Sequence, residues 1–92
     1  MNKGELIDAV ARNTGESKAL AGKMVDETLD VIVGAVVAGG KVQLTGFGTF
    51  ESRARSARIA RNPQTGAEVR VRATRVPAFK AGKAFKDAVK PG

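Results

Sequence analysis

Residues 53–75 read RARSARIARNPQTGAEVRVRATR, a stretch with seven arginines, no lysine, no aromatic residue and one acid, Glu68. Near its middle, Pro63 presets the backbone for the second position of a turn, and Gly66 tolerates the positive φ that often closes one. Strand-forming segments flank this turn, over residues 51–60 and 68–76. The pattern predicts a long two-stranded ribbon with a proline near its tip. Because an isolated hairpin is marginal in water, we expect the ribbon to be held ready for an anionic partner.

The remainder of the chain is too small to form a large core by itself. The chain has 92 residues. Only about 70 lie outside the ribbon, and domains of that size often need disulfides, a metal or a second chain. Cysteine and histidine are both absent, which excludes disulfides and thiolate metal sites and leaves dimerisation as the expected source of stability. The same absence removes the usual general base and thiol nucleophile, so we predict no enzymatic activity, no cofactor and no small-molecule substrate.

The positive charge is concentrated in the second half of the chain. Residues 1–46 carry five Lys or Arg and six Asp or Glu, whereas residues 47–92 carry eleven and three. This asymmetry predicts a near-neutral scaffold joined to a surface that binds a polyanion, with nucleic acid as the leading candidate. No apolar run approaches the roughly 20 residues of a membrane-spanning helix, and the N-terminus lacks the apolar region of a secretory signal. We therefore expect a cytoplasmic location and no membrane partner.

Two helices are predicted in the first half of the chain. Asn2 and Glu5 form a capping-box pattern ahead of a helix over residues 3–12. Ser17 opens a second helix over residues 18–38, whose apolar stripe is wide. Two interpretations of that stripe stay open, a central core helix or a dimer interface, and the small core favours the dimer. The predicted dimer core consists of Leu29, Ile32, Val33, Val36, Leu44, Phe47, Phe50 and Phe79.

The second half of the chain predicts a small sheet, the ribbon and a final helix. A short strand is expected over residues 41–45, followed by a turn over residues 46–48 and a strand that continues into the ribbon. Phe47 and Phe50 are expected core anchors, with base stacking as the alternative. A final helix is predicted over residues 82–89. Four lysines at three- and four-residue spacing are expected to share one helical face and to extend the anion-binding surface, namely Lys80, Lys83, Lys86 and Lys90.

The choice of arginine in the ribbon indicates how it binds. Between residues 53 and 75 arginine excludes lysine, which returns only from Lys80. A guanidinium group is planar, weakly hydrated and forms forked hydrogen bonds, so it suits a narrow groove and phosphate oxygens. We expect arginines inside a groove and lysines along its walls. Pro63 is rigid, apolar and without an N–H, so it suits a wedge between base steps, with a plain turn residue as the alternative.

Several motifs resemble one family. Residues 46–50 (GFGTF), Arg55, Arg58 and residues 60–66 (ARNPQTG) are similar to the signature of the bacterial histone-like HU family, relatives of integration host factor. The start MNK and residues 76–83 (VPAFKAGK) resemble that family as well, so the likeness covers essentially the whole chain. Two departures are Ala60, where many members have glycine, and an arm without the lysines that members commonly carry.

The resemblance implies an α+β fold: an intertwined homodimer with a helical body, a short antiparallel sheet and long β-ribbon arms. It implies that the arms wrap double-stranded DNA through the minor groove, that Pro63 intercalates, and that the protein bends DNA without sequence specificity and compacts the nucleoid. The implied DNA-binding residues of the arm are Arg53, Arg55, Arg58, Arg61, Asn62, Pro63, Arg70, Arg72 and Arg75, and those of the body are Lys3, Lys80, Lys83 and Lys86.

The implied organisation is a single domain over residues 1–92. Residues 1–46 form its helical dimerisation part, and residues 47–92 hold the sheet, the arm at about residues 53–75 and the final helix. A paralogue in place of an identical partner chain stays open, as does binding of some RNAs. The alternative functions are a sequence-specific DNA-bending regulator of the integration host factor type, a helix-turn-helix regulator, an RNA-binding basic protein, and a module whose basic arm binds an acidic protein.

Overall fold

The computed structural model describes all 92 residues and contains three helices and five strands. In chain order they are α1 (Lys3–Thr14), α2 (Lys18–Val37), β1 (Val42–Leu44), β2 (Gly48–Arg55), β3 (Arg58–Arg61), β4 (Glu68–Val71), β5 (Thr74–Ala81) and α3 (Lys83–Val89). One antiparallel sheet has the strand order β1-β2-β5, and β3 and β4 form a separate two-stranded sheet. This combination confirms the predicted α+β class. None of the three helices has both the length and the apolar character needed to cross a membrane.

Local side chains set the ends of α1. The predicted capping box is confirmed, because the Glu5 N–H donates to Asn2 Oδ1 at 2.8 Å and the Asn2 N–H donates to Glu5 Oε1 at 3.4 Å. The helix continues two residues past its predicted end. Thr14 accommodates this extension by donating its hydroxyl to the Val10 carbonyl at 2.7 Å. Gly15 then ends the helix with a left-handed φ of 73°.

The second helix begins as predicted. Ser17 Oγ accepts a hydrogen bond from the Leu20 N–H at 3.1 Å, so the serine caps the first turn. At the other end, the Gly40 N–H donates to the Ala35 carbonyl at 2.9 Å, and Gly39 adopts a φ of 89°. These two glycines close the helix one residue before its predicted end.

The chain forms two compact units, Met1–Gly34 and Ala35–Gly92. Within the first, Ile7 of α1 approaches α2 at Gly22, where an added Cβ would lie 3.7 Å from two carbons of the isoleucine. Ala11 and Ala21 are 7% and 3% exposed, and they are the only hydrophobic side chains that the single chain buries. Burial of two alanines contributes little apolar area, so this unit has no substantial core of its own.

The second unit is organised around the four phenylalanines of the chain. Phe50 and Phe79 pair across β2 and β5 with ring centroids 4.8 Å apart. Phe47 lies 5.2 Å from Phe79 and 5.3 Å from Phe85 of α3. These are the distances of packed aromatic pairs. The cluster therefore favours the core-anchor interpretation of Phe47 and Phe50 over base stacking.

Gly48 permits the close approach of β2 and β5 beside this cluster. A Cβ at Gly48 would lie 2.5 Å from the Lys80 carbonyl oxygen and 2.5 Å from the Phe79 ring. Real Cβ atoms do not come so close to backbone oxygens, so any side chain at this position would push the two strands apart. The glycine is required by the packing and not by its own φ, which is not positive.

The residues predicted for the dimer core remain incompletely covered in the single chain. Leu29, Val33 and Phe47 are 44%, 59% and 45% exposed. Leu44 and Phe79 are each 40% exposed, while Ile32, Val36 and Phe50 are half-buried. Fourteen large hydrophobic side chains are exposed in all, against two buried alanines. Such an excess of exposed apolar surface is typical of a chain whose core is completed by another chain.

Several predicted boundaries are wrong in the second half. The short strand covers Val42–Leu44 and not residues 41–45, and each ribbon strand is divided in two, at residues 56–57 and 72–73. Lys80 lies in β5, where it pairs with Thr49, and α3 begins only at Lys83. Four lysines on one helical face are therefore not found, because pairing with β2 holds Lys80 in extended backbone. The helix itself contains Lys83 and Lys86, and Lys90 is its C-terminal cap.

Candidate nucleic-acid interface

A single register runs through both halves of the ribbon. In the sheet, Arg55 of β2 pairs with Thr74 of β5, and in the two-stranded section Arg58 of β3 pairs with Val71 of β4. Three residues forward on one strand thus correspond to three residues back on the other. Residues 56–57 and 72–73 stand opposite each other without any inserted residue, so the interruption is not a bulge. We call residues 55–72, which include β3, β4 and the turn between them, the arm.

The tip of the arm is a turn closed by its own side chains. The Asn62 N–H donates to the Ala67 carbonyl at 2.8 Å, and the Gly66 N–H donates to the Asn62 carbonyl at 2.7 Å. Asn62 Oδ1 accepts from the Gln64 N–H at 2.9 Å. Pro63, which follows Asn62, is exposed, and Gly66 has a φ of 72°. The tip therefore presents the exposed ring of Pro63 on a turn whose conformation is fixed by Asn62 and Gly66.

Most arginines of residues 53–75 have no partner within the chain. Seven arginines lie between residues 53 and 75, and the side chains of five of them form neither an ion pair nor a hydrogen bond. All five are exposed, namely Arg55, Arg58, Arg61, Arg70 and Arg72. Arg61 pairs across the ladder with Glu68, the only acid of the arm, yet no ion pair links the two side chains. The arm thus holds guanidinium groups that are free to bind an external anion.

Strand pairing distributes these arginines over both faces of the arm. Antiparallel partners point to the same side of a ribbon, and neighbours along a strand point to opposite sides. Arg70 therefore shares one face with Ile59, and Arg58 shares the other face with Val71. Ile59 is 64% exposed, so each face offers both charge and apolar surface. This mixture suits a groove whose walls are anionic and whose floor is a stack of bases.

Arg53 and Arg75, at the base of the ribbon, differ from the arm arginines. Arg75 Nε donates to Ser52 Oγ at 3.1 Å and its Nη2 donates to the same oxygen at 2.8 Å. Arg53 lies 3.9 Å from Glu51. Both side chains therefore have a polar partner on the sheet, whereas the five arm arginines have none.

Lys83 and Lys86 are exposed on α3 and form no ion pair. The segment that carries them is fixed to the sheet, since the Gly82 N–H donates to the Phe47 carbonyl at 2.8 Å just before α3 begins. They are accessible to an anion from a short helix that follows β5 directly, and their role in binding stays a prediction.

Lys3, the predicted contact in the first unit, is already paired. Its Nζ forms an ion pair with Asp26 of α2, and hydrogen bonding to this carboxylate, together with its charge, raises the pKa of Lys3. The pair is solvent-exposed, with more than half of each side chain accessible. A phosphate group that binds Lys3 must therefore compete with Asp26.

One charged cluster was not predicted from the sequence. Glu51 of β2 lies 3.5 Å from Lys41, 3.9 Å from Arg53 and 3.7 Å from Lys80. Its side chain is 12% exposed, whereas those of the three cations are 54–65% exposed. The cations come from the residue just before β1, from β2 and from β5, so the sequence could reveal the cluster only once the strand register was known. No group of three or more potential metal ligands lies close together in the chain.

Comparison with known proteins identifies the family. The family model described as "Bacterial DNA-binding protein" matches residues 1–90. The DNA-binding protein HU of Geobacillus stearothermophilus is 60% identical over 90 residues, which cover 98% of this chain and all of the relative. HU-beta of Pseudomonas aeruginosa is 52% identical over 97% of this chain and 99% of its own length.

The chain belongs to the HU family of bacterial DNA-binding proteins. Among solved structures, a chain of the Anabaena HU–DNA cocrystal matches with a TM-score of 0.92 and 51% identity, and the match covers both chains completely. HU from Thermotoga maritima matches with a TM-score of 0.70 and 37% identity over 98% of this chain and all of that one. The resemblance inferred from the sequence motifs is confirmed. The roles of individual residues stay predictions.

Proposed function

We propose that this protein is an architectural protein that binds double-stranded DNA without sequence preference, bends it and wraps it. Two arms of a homodimer enter the minor groove, and the lysines of the body bind the flanking phosphates. The protein is no enzyme and belongs to a family of DNA-binding proteins. We place it in the cytoplasm on the nucleoid, where it contributes to DNA compaction.

The observation that carries this proposal is the arm with its five unpaired, exposed arginines. β3 and β4 pair only with each other and are joined by a turn, so no other strand shares their edges. Unpaired guanidinium groups on such a ribbon bind phosphate oxygens and enter a narrow groove, where the negative potential is enhanced. Because the contacts are mainly to phosphates, the binding energy comes largely from counterion release and carries little sequence information.

The exposed tip supports bending. Proteins that bind the minor groove insert rigid apolar side chains between base steps and kink the duplex, which costs a few kcal/mol per step and allows more protein surface to contact DNA. Pro63 has the required shape and has no N–H that would lose a partner in the base stack. The cocrystal of the Anabaena relative contains DNA, which supports DNA as the partner here.

The incompletely covered core supports the dimer. Fourteen exposed large hydrophobic side chains need a second surface, and pairing with a second copy would also supply a second arm. Two arms on one particle allow the protein to hold a duplex at two points, which bending requires. An identical chain and a paralogue would cover the same surface, and the mass of the purified protein when expressed alone tests whether the identical chain suffices.

The test is a titration of two unrelated duplexes of equal length across a salt series, followed by fluorescence anisotropy. We expect equal affinities for the two duplexes and a linear fall of log K with log salt, with a slope of about −0.9 for each phosphate contacted. Mass measurement in solution should give twice the chain mass. A strong preference for one duplex, or a slope near zero, would contradict the proposal, and better binding to structured RNA of the same length would favour the RNA-binding alternative.

A further inference from the structure

We propose that Lys41, Arg53 and Lys80 form one phosphate-binding site on the sheet, and that Glu51 is its internal counter-ion, which DNA must displace. The inference rests on the proposed binding of duplex DNA and adds to it a site outside the arm. It assigns a DNA contact to Lys41, which no motif indicated, and an opposing role to Glu51.

The strand register creates this site. Glu51 and Arg53 are two residues apart on β2, so their side chains point to the same face of the sheet. Lys80 pairs with Thr49 on the neighbouring strand β5 and therefore lies diagonally beside Glu51 on that face. Lys41 directly precedes Val42, which pairs with Phe50, so it stands opposite Glu51 at the sheet's other edge. One cation from β2, one from β5 and one from the residue before β1 thus converge on one carboxylate.

This face is opposite to the aromatic one. Phe50 follows Thr49 and precedes Glu51 along β2, so its ring points away from the charged cluster toward Phe79 and the other phenylalanines. The charged face consequently takes no part in the aromatic cluster. The three cationic side chains are 54–65% exposed, so a large anion can reach them.

The charges in the cluster do not balance. One carboxylate faces three cations, which leaves two positive charges in excess. The separations of 3.5–3.9 Å exceed the usual lengths of charge-assisted hydrogen bonds, and no hydrogen bond joins Glu51 to these side chains. Glu51 therefore attracts the cations without occupying their donors. A phosphate group of DNA can accept hydrogen bonds from those donors, and it must do so against the repulsion of the largely buried carboxylate.

The experiment compares three variants in the salt titration of an intact duplex. Lys41→Gln removes a cation from the site, and we expect affinity to fall about three- to tenfold and the slope to become shallower by about one contact for each site that DNA occupies. Glu51→Gln removes the competing charge, and we expect affinity to rise at least about threefold at low salt. Glu16→Gln is the control, since it makes the same charge change in the loop before α2, where Glu16 forms no ion pair.

A double variant separates direct phosphate binding from simple neutralisation of Glu51. If Lys41 contacts phosphate, Lys41→Gln must still weaken binding when Glu51 is also replaced by Gln. If the lysine merely neutralises Glu51, its replacement will have no effect in that background, and the proposed site is wrong. A Glu51→Gln variant that binds no better than Glu16→Gln would equally overturn the proposal.

Two further measurements distinguish a failure of this inference from unfolding of a variant and from a failure of the proposed function. Thermal unfolding of each variant shows whether the sheet is intact, and Lys41→Gln tests the site even if Glu51→Gln lowers stability. If the unmodified protein fails to bind DNA at all, the proposed function fails. If the unmodified protein binds and only the Lys41 and Glu51 effects are missing, this inference alone fails.

Discussion

The ribbon and the three-stranded sheet share two strands and one register, yet their side chains differ in kind. At the sheet end, Phe50 packs on Phe79 at 4.8 Å and a carboxylate lies among three cations. At the arm end, five arginines have no partner in the chain and the apolar residues Ile59 and Val69 are 64% and 48% exposed. The same backbone pairing therefore supports a packed aromatic cluster at one end and, in the proposed function, DNA binding at the other. Substitutions at the two ends should separate these effects.

The largest difference is expected in stability when apolar side chains are truncated. Phe79→Ala removes a ring that contacts three other phenylalanines, and we expect it to lower the free energy of unfolding by about 3 kcal/mol, at the low end for such changes because Phe79 is partly exposed in the single chain. Ile59→Ala in the arm should change it by less than about 0.5 kcal/mol. Chemical denaturation followed by circular dichroism measures both, and equal losses would show that the arm contributes to the core.

The next comparison is between Gly48, which close packing requires, and Gly66, which a positive φ requires. Gly48→Ala places a Cβ 2.5 Å from a carbonyl oxygen and from a phenylalanine ring, so we expect a loss of about 2 kcal/mol from displaced strands. Gly66→Ala meets no neighbouring atom within 4 Å but must adopt a φ of 72°, which costs about 1 kcal/mol. The melting temperatures of the two variants show which substitution lowers stability more. A larger loss at Gly66 would mean that the tip turn, and not the sheet, limits stability.

Loss of an arm arginine should affect binding and leave stability unchanged. Arg61→Ala removes an exposed, unpaired guanidinium, and we expect duplex affinity to fall about three- to tenfold on every sequence, with a salt slope shallower by about one contact per arm. Arg12→Ala, which lies outside the predicted interface, is the matched control. Anisotropy titrations on two unrelated duplexes give the result, and a loss confined to one duplex would indicate base readout by Arg61.

The smallest change in affinity is expected at the tip proline. Pro63→Ala keeps the charge and the hydrogen bonds of Asn62 and Gly66, so we expect affinity to change by less than about threefold while the bend angle decreases. Energy transfer between dyes at the two ends of a duplex measures the bend directly. An unchanged bend angle would assign Pro63 to the turn alone.

The parts of this fold that depend on near neighbours could be predicted from the sequence. The capping box of Asn2 and Glu5, the Ser17 cap and the turn around Pro63 each involve residues within four positions of one another, and all are confirmed. Family membership also followed from contiguous motifs. These features need no knowledge of tertiary structure, because the hydrogen bonds that create them close within a single turn.

The parts that depend on strand register could not be predicted. The interruption at residues 56–57 and 72–73 has no local signal, since arginine occurs on both sides of it on each strand. Lys80 has helical spacing to Lys83, but pairing with Thr49 places it on a strand. The cluster around Glu51 joins residues of β2 and β5 with the residue that precedes β1, and its members are up to 39 positions apart, between Lys41 and Lys80. Only the pairing of β2 with both neighbours brings them together.

The bulge-free register has a consequence for arms of other lengths. An extension that adds a single residue to only one strand would turn every residue beyond it to the opposite side of the ribbon, and it would exchange the faces on which Arg58 and Ile59 lie. A longer or shorter arm that keeps its arginine pattern must therefore gain or lose equal, even numbers of residues on both strands. The length of a grafted or redesigned arm is therefore limited to steps of about 7 Å, which corresponds to two residues of a strand.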